Sequence, residues 1–444
     1  MTNDFLNFDL RIRQCVYKAD RPNKYQHLTI RIKGFIQPDV LKSIELPAPV
    51  DSNMGLVIYG SAPNWLYAYL VRQYSSVAWI GCYYPILEAA IVVKTNVPQV
   101  KVGKVIPITL SPEEILENAN RYDLEKQKKA LKSSPPQKLL FPKELNGQIQ
   151  LKVNNSLPYQ RLVIDAIDIS PQSLMTLSLP QELDFNREII FDGSAPLWLF
   201  SYLVERCKEA PWIACHNMHN GAVIVESKNS DFAVGNSFKL IEKIPCPAII
   251  VGGLPDSGKS VLTYALEQTL IRQGYNNRVH TLRAHWDGHG DWYLAMPNRN
   301  IADYFSTSVG NPPKSAREKQ ERFEEYAQLT ENLRSTTDLA IIDFGGYPQE
   351  SDLVLVRCCT HYIIICQSGN EGDREQIEKL HDFFQNKKRG NLKLLAVIHS
   401  VWESKLEAIS TEPYLEIEAG KWERGVTDTV PDVLLQEVIK LFNR

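Results

Sequence analysis

The stretch IIVGGLPDSGKSVLTYALEQTLIRQG holds G-x4-G-K-S as Gly253, Gly258, Lys259 and Ser260. Residues of these types at this spacing bind phosphate. Backbone N–H groups of the loop, Asp256 and Ser257 included, cradle the phosphates, Lys259 reaches the terminal ones, and the Ser260 hydroxyl binds magnesium. The flanks fit that chemistry: AIIVG reads as a buried strand, and VLTYALEQTLIRQG as a helix stopped at Gly274. Such a site needs a carboxylate at the end of a second buried strand to hold magnesium through its water shell. DLAIIDFGG, residues 338–346, supplies Asp343, and Gly345 and Gly346 leave room for backbone to approach a phosphate. A sheet strand ending in a capping aspartate explains the same letters. The DFG tripeptide also occurs in protein kinases, but the β3 lysine motif and the HRD loop are absent, which excludes that class. ATP and magnesium are the expected cofactors.

A second polar loop, RAHWDGHGDW at 283–292, follows the strand-like VHTLRA. Asp287 has the chemistry of a general base, and His285, His289 and Asp291 alternate as metal ligands would. An Asp-Gly turn is the plainer reading. The charged run 314–334 offers Arg317 or Arg322 as an arginine finger, or simply a solvated helix face.

Two elements elsewhere are copies. GSAPNWLYAYLV at 60–71 returns as GSAPLWLFSYLV at 193–204, and the same offset runs without a gap from Pro38/Pro171 to Val92/Val225. It carries Leu46-Pro47 onto Leu179-Pro180, Trp65 onto Trp198, Trp79-Ile80 onto Trp212-Ile213, and Cys82 onto Cys215. A repeat of about 100 residues is a duplicated domain, since solenoid periods are roughly 20–50. Each copy reads as one sheet with a helix across it, a small α+β module. At the shared junction, Gly60 and Gly193 permit a turn and Ser61 and Ser194 suit N-caps. Ala62 and Ala195 follow, and Pro63 and Pro196 are tolerated in a first helical turn. Trp65, Leu66, Tyr69 and Leu70 then share a face. Such a junction is either a phosphate site at a helix N-terminus or a capped helix whose tryptophan fills the core. Two copies create an approximate two-fold axis, which suits a two-fold ligand.

GSAPxWL with its following strand and terminal V-G-x-x-I resembles the CRISPR-associated ring-nuclease family, small enzymes that cleave cyclic tetra-adenylate with manganese. Some members carry a fused P-loop domain loosely called AAA. The resemblance covers residues 1–110, 147–240 and 246–444. It implies a type III CRISPR accessory protein that binds a cyclic oligoadenylate, with ligand contacts at Gly60, Ser61, Ala62, Pro63, Gly193, Ser194, Ala195, Pro196, His216 and His219. Manganese would be an added cofactor. That family's catalytic stretch reads Asp-Pro-Arg-x-Gly; here it is Tyr84-Pro85-Ile86-Leu87-Glu88 and Asn217-Met218-His219-Asn220-Gly221. Neither copy has the aspartate; His216 and His219 stand as replacements in the second.

The expected organisation is a multidomain α/β and α+β chain. Module 1 spans 1–110, a charged helix and proline-rich linker 111–146, and module 2 147–240. A doubly wound, mostly parallel P-loop NTPase domain, AAA-like or kinase-like, spans 246–444. Its catalytic set would be Lys259, Asp343 and Asp287. A net charge of -3 leaves no basic footprint for long nucleic acid. Eight scattered cysteines without CxxC indicate neither disulfides nor zinc. The N-terminus lacks an apolar signal core and no run is long enough to span a membrane, so a cytoplasmic protein is expected. A homo-oligomer stays open, as do a small-molecule kinase with a dimerising tandem and a module that only sequesters its signal.

Overall fold

The computed structural model describes residues 8–15, 25–32, 36–49, 51–108, 145–155, 158–217, 219–240, 244–253, 257–284, 315–345, 349–367, 372–385, 392–420, 422 and 430–443. They form two compact units that divide between Lys239 and Leu240.

The first unit contains two six-stranded sheets. Module 1 has β1 (Phe8–Cys15), β2 (Tyr25–Ile32), β3 (Gly55–Tyr59), β4 (Trp79–Tyr84), β5 (Ala89–Thr95) and β6 (Val105–Pro107), hydrogen-bonded in that order, with helix α1 (Asn64–Gln73) between β3 and β4. Module 2 repeats this with β7 (Gln150–Asn154), β8 (Gln160–Asp165), β9 (Ile189–Ser194), β10 (Trp212–Asn217), β11 (Gly221–Ser227) and β12 (Ser237–Phe238), and helix α2 (Leu197–Arg206) between β9 and β10. In each sheet the three middle-order strands run parallel and the others antiparallel. The β3–α1–β4 and β9–α2–β10 segments are therefore crossover units, which need a helix to return the chain to the same sheet end.

Both helices are buried all round, from Trp65 to Val71 and from Trp198 to Val204. A helix apolar on every side must be covered on every side. Each packs against the other helix and against the β strands of the opposite module, α1 on β10 and β11 and α2 on β4 and β5. The two copies therefore share one interior, and the single apolar face read from the sequence is too narrow.

The junctions correct one expectation. Helix α1 starts at Asn64 and its N-cap is Pro63; helix α2 starts at Leu197 with Pro196 as N-cap, and neither cap has a side chain that accepts from the first-turn N–H groups. Ser61 and Ser194 lie outside the helices. The cause is the proline: its fixed φ holds extended backbone, and its carbonyl accepts the first helical bonds, from Leu66 and from Leu199. The glycines are required as expected. Gly60 has φ +131 and Gly193 φ +111, and a Cβ there would meet the carbonyl oxygens of Ile30 and Ile164 at 2.4 and 2.1 Å.

The second unit is built on a sheet of β13 (Ala248–Gly253), β14 (Val279–Ala284), β15 (Leu339–Phe344), β16 (His361–Gln367), β17 (Lys393–Val401), β18 (Leu406–Ser410) and β19 (Leu415–Gly420). Its order is β14-β15-β13-β16-β17-β19-β18, parallel except for the edge strand β18. Helices α3 (Lys259–Leu270), α4 (Ala316–Thr336), α5 (Leu353–Val356), α6 (Gly372–Gln385) and α7 (Asp432–Ile439) connect and cover it. This is the expected doubly wound architecture. A wide turn after α3 ends at Gly274, whose φ of +92 stops the helix. Strands β13, β15 and β16 are buried on both faces, as their continuous runs of isoleucine and valine require. Seven cysteines are buried and none forms a disulfide among the described residues. No described helix is long and apolar enough to cross a membrane.

Candidate functional site

The glycine-lysine-serine stretch lies between β13 and α3, and its described part, Gly258 and Lys259, stands at the N-terminus of that helix. Gly258 adopts φ +93 as the residue before the helix, and Lys259 opens the first turn and is buried. Ser257 is buried, and its Oγ has no hydrogen-bond partner among the described residues. On the adjacent strand, Asp343 lies in register with Val251 of β13 and is 3% exposed. Its Oδ1 is buried and has no hydrogen-bond partner among the described residues. An orphaned carboxylate oxygen costs free energy unless something meets it. That fits a carboxylate that would hold the water shell of a magnesium ion.

Arg283 has no role in any of the sequence motifs. It is the penultimate residue of β14, in register with Asp343, and its Nε stands 3.6 Å from Asp343 Oδ2. Both side chains are largely buried, so the guanidinium and the carboxylate compensate each other's loss of water. Its signal in the sequence was only its place at the end of VHTLRA. Gly345 follows β15 directly. Asp256, Gly346, His285, Asp287, His289 and Asp291 lie outside the described residues, as does the charged run 111–132. Arg317 is on a solvated face, paired with Glu321 at 2.8 Å, as the plainer reading of that helix has it.

In the first unit the structure brings together residues far apart in sequence. Asn64, directly after Pro63, donates from Nδ2 to the backbone oxygen of His216 at 2.9 Å, and Trp65 Nε1 donates to Asn220 Oδ1 at 3.3 Å. The Gly60–Pro63 junction of module 1 is thus beside the His216–Asn220 turn of module 2. The reciprocal seam places Tyr84 of module 1 edge-on to Trp198, ring centroids 6.3 Å apart. Tyr67 donates its hydroxyl to the Gly60 oxygen at 2.6 Å and fixes the junction.

The copies differ sharply at one spot. Gln26 and Gln160 each donate to backbone of the following loop, at Asp51 and Asp184, which makes them equivalent. The next residues, His27 and Arg161, are then equivalent too, alongside Tyr59/Asp192 and Tyr83/His216. Module 1 fills these positions with rings: His27 stacks on Tyr59, and Tyr59 meets Tyr83 at 4.6 Å. Module 2 fills them with charge. Arg161 donates from Nε to Asp192 Oδ2 at 2.6 Å, and His216 Nδ1 bonds Asp192 Oδ1. Burial alone would raise the Asp192 carboxyl, but the hydrogen bond to His216 and the Arg161 guanidinium hold it below the usual range. His216 Nε2 is buried and unpartnered among the described residues. Burial lowers His219 to about 4. No group of three or more His, Cys, Asp or Glu side chains among the described residues is placed to hold a metal ion. The described residues therefore offer manganese no ligand set.

Residues 29–107 and 163–239 each match the family model described as CRISPR-associated protein (Cas_csx3). An uncharacterised protein of Aquifex aeolicus is 35% identical over 82 residues, which is 18% of this chain and 74% of that protein. The chain belongs to the CRISPR-associated Cas_csx3 family, and it carries the family's module twice. Among solved structures, similarity extends to a putative plasmid partition protein of Borrelia burgdorferi bound to AMPPNP. It has 13% identity and a TM-score of 0.31, covering 45% of this chain and 99% of that one. Cobyrinic acid a,c-diamide synthase of Mycobacterium smegmatis, with bound ATP analog and magnesium, has 13% identity and a TM-score of 0.26, covering 36% and 74%.

Proposed function

We propose that this chain is a CRISPR accessory ATPase whose paired modules bind a cyclic oligoadenylate. The observation that carries the enzymatic half is a buried Asp343 on the strand beside β13, its Oδ1 without a hydrogen-bond partner among the described residues, with Lys259 and Ser260 opening the helix that follows β13. Bound magnesium would neutralise phosphate charge and orient the terminal phosphate. The chain's own groups do the rest. The loop amides and the α3 N-terminus hold the phosphates, Lys259 follows charge as it develops on the transferred group, and Asp343 fixes the ion's water shell. Ser260 and Asp343 would hold magnesium. Asp287 remains the proposed base for an attacking water or acceptor hydroxyl.

The binding half rests on the family and on the pairing of the copies across a shared interior. Gly60–Pro63 and Gly193–Pro196 are the proposed contacts for the ring's phosphates, with His216 and His219 at one seam. Loss of the Asp-Pro-Arg stretch from both copies, and the absence of a manganese ligand set among the described residues, favour binding of the signal over its cleavage. Labelled cyclic tetra-adenylate incubated with the protein, with and without ATP, magnesium and manganese, separates the cases. Retention of intact ring together with ATP turnover supports the proposal. Absence of ring binding in every condition removes the binding half, and absence of turnover removes the enzymatic half.

A further inference from the structure

The loop accounts for phosphate, but a nucleotide has a second end, and the sheet order says where it must go. Asp343 on β15 and Arg283 on β14 stand on one side of β13. They fix the side on which the terminal phosphate and its ion lie. The base must therefore extend toward the other side, over β16, β17 and β19. Strand β19 runs parallel to β17, so its carboxyl end opens on the same edge as the loop. Two residues beyond that end is Trp422.

Trp422 does not point away from the loop. A Cβ built on Gly258 would lie 2.7 Å from Trp422 Cδ1 and 3.3 Å from its Nε1, so the pyrrole edge of the indole rests on the last loop residue before Lys259. The ring also packs on the core cluster that includes Val251, Leu262 and Ile417. A tryptophan held this way is a rigid flat surface at the base end of the loop. Its Nε1 is buried and has no acceptor among the described residues. Buried indole N–H groups normally find an acceptor, and a purine nucleoside brings several.

We infer that Trp422 is the platform for the base end of the nucleotide, with its N–H donating to the nucleoside. This rests on the reading of the loop as an ATP site. It also explains why residue 258 is glycine beyond its positive φ: any side chain would push the platform off.

The test compares ATP with inorganic tripolyphosphate, which has the phosphates and no base, using Trp422→Ala and Trp422→Phe in the full-length protein. Binding is read by calorimetry, and tryptophan emission is followed in the wild type and in Trp422→Phe. Trp422→Ala should weaken ATP roughly ten-fold or more, the usual scale for loss of one base–aromatic contact, and leave tripolyphosphate within about two-fold. Trp422→Phe, which keeps a ring and loses the N–H, should fall between, and the ATP-induced emission change should shrink in it. Unchanged ATP affinity in Trp422→Ala overturns the inference. So does an equal loss for both ligands, since that would mean the ring acts only by supporting Gly258. If the wild type binds neither ligand, the loop reading itself fails, a different outcome from either.

Discussion

Arg72 and Glu205 hold the same position in the two copies, 133 residues apart, and they meet face to face, Nη1 to Oε2, at 2.6 Å. The pair lies where α1 crosses α2. Glu226 adds a second carboxylate to Arg72 at 3.2 Å, and Lys94 a second cation to Glu205 at 3.0 Å. Opposite charges at equivalent positions mean that two identical modules could not pack this way. One pairing would set arginine on arginine, the other glutamate on glutamate, in a site where both side chains are mostly buried. The duplication has become a pair of unlike halves matched to each other within one chain.

Reversing one charge should therefore be costly. Arg72→Glu places three carboxylates together, and breaking such a pair on one side costs about 3 kcal/mol or more. The double variant Arg72→Glu/Glu205→Arg restores the central contact but leaves Glu226 and Lys94 facing like charges, so it should recover about half of that loss. Urea unfolding of the four proteins gives the coupling directly. A double variant no more stable than the worse single one contradicts the pairing.

The sequence made much of this frame legible. The long apolar runs of β13, β15 and β16 and the glycine-lysine-serine loop speak through strong local signals, and so does the doubled Gly-Ser-Ala-Pro junction. What stayed hidden depends on contacts between distant residues. Strands β1, β6, β7 and β12 lie at sheet edges and lack long apolar runs. The buried back of α1 looked like a surface because the other module, 133 positions later, covers it. Ser61 resembled an N-cap because serine commonly is one, whereas the proline two residues on sets the true helix start. Arg283 comes to Asp343 through strand register and Trp422 to Gly258 through a chain return, neither of which leaves a local pattern.

Gly60→Ala and Gly193→Ala should each destabilise the first unit by well over about 1 kcal/mol, the ordinary cost of a wrong backbone conformation. The added methyl would overlap a strand carbonyl as well as occupy a positive φ. Gly274→Ala has the same kind of φ but no atom within 4 Å of the new Cβ, so it should cost only the conformational part. Thermal melting of the three variants checks the order.

Acid should weaken the fold in two stages. His219 titrates at about 4 when folded, below its ordinary 6.5, because burial disfavours its charged form. Between those values the unfolded chain binds the extra proton, so stability falls as pH drops through this window, by at most about 1.4 kcal/mol per pH unit. His219→Gln should flatten that slope. Asp192 acts lower down. Its carboxyl is held below the ordinary carboxylate range, so its contribution is present above that range and is lost only as pH falls beneath it. Asp192→Asn should remove this second stage and leave the first intact. Equilibrium unfolding from pH 7 to below pH 2 would show whether the slopes separate as expected.

Lys259→Ala should abolish ATP turnover without unfolding the protein. A charge-assisted phosphate contact contributes about 1.5–3 kcal/mol in the ground state and more in the transition state. Asp343→Asn should behave differently: ATP still binds at the loop, but turnover no longer rises with magnesium. Titrating magnesium against turnover in both variants distinguishes the roles. A magnesium response preserved in Asp343→Asn would count against Asp343 as the ion's carboxylate.

The proposed ring contacts can be tested cleanly because of where the helices start. Had Ser61 and Ser194 been N-caps, replacing them would cost about 0.5–2 kcal/mol of stability and confuse any binding result. Pro63 and Pro196 hold those positions, and neither helix has a side-chain cap to lose. Ser61→Ala and Ser194→Ala should therefore melt like the wild type. If each hydroxyl meets one phosphate of a two-fold ring, each single change should weaken cyclic tetra-adenylate by about 1.5 kcal/mol, near ten-fold, and the double change by close to the sum. ATP binding at Lys259 should not move. The copies are not identical at this edge, since Asn64 fills the start of α1 and reaches His216, while Leu197 at the start of α2 has no such group. The Asn64 amide is already engaged, donating to His216 and accepting from the Trp65 N–H, so the two single variants should weaken the ring alike. Calorimetric titration of the four proteins decides it: equal ring affinity throughout would remove both serines from the pocket.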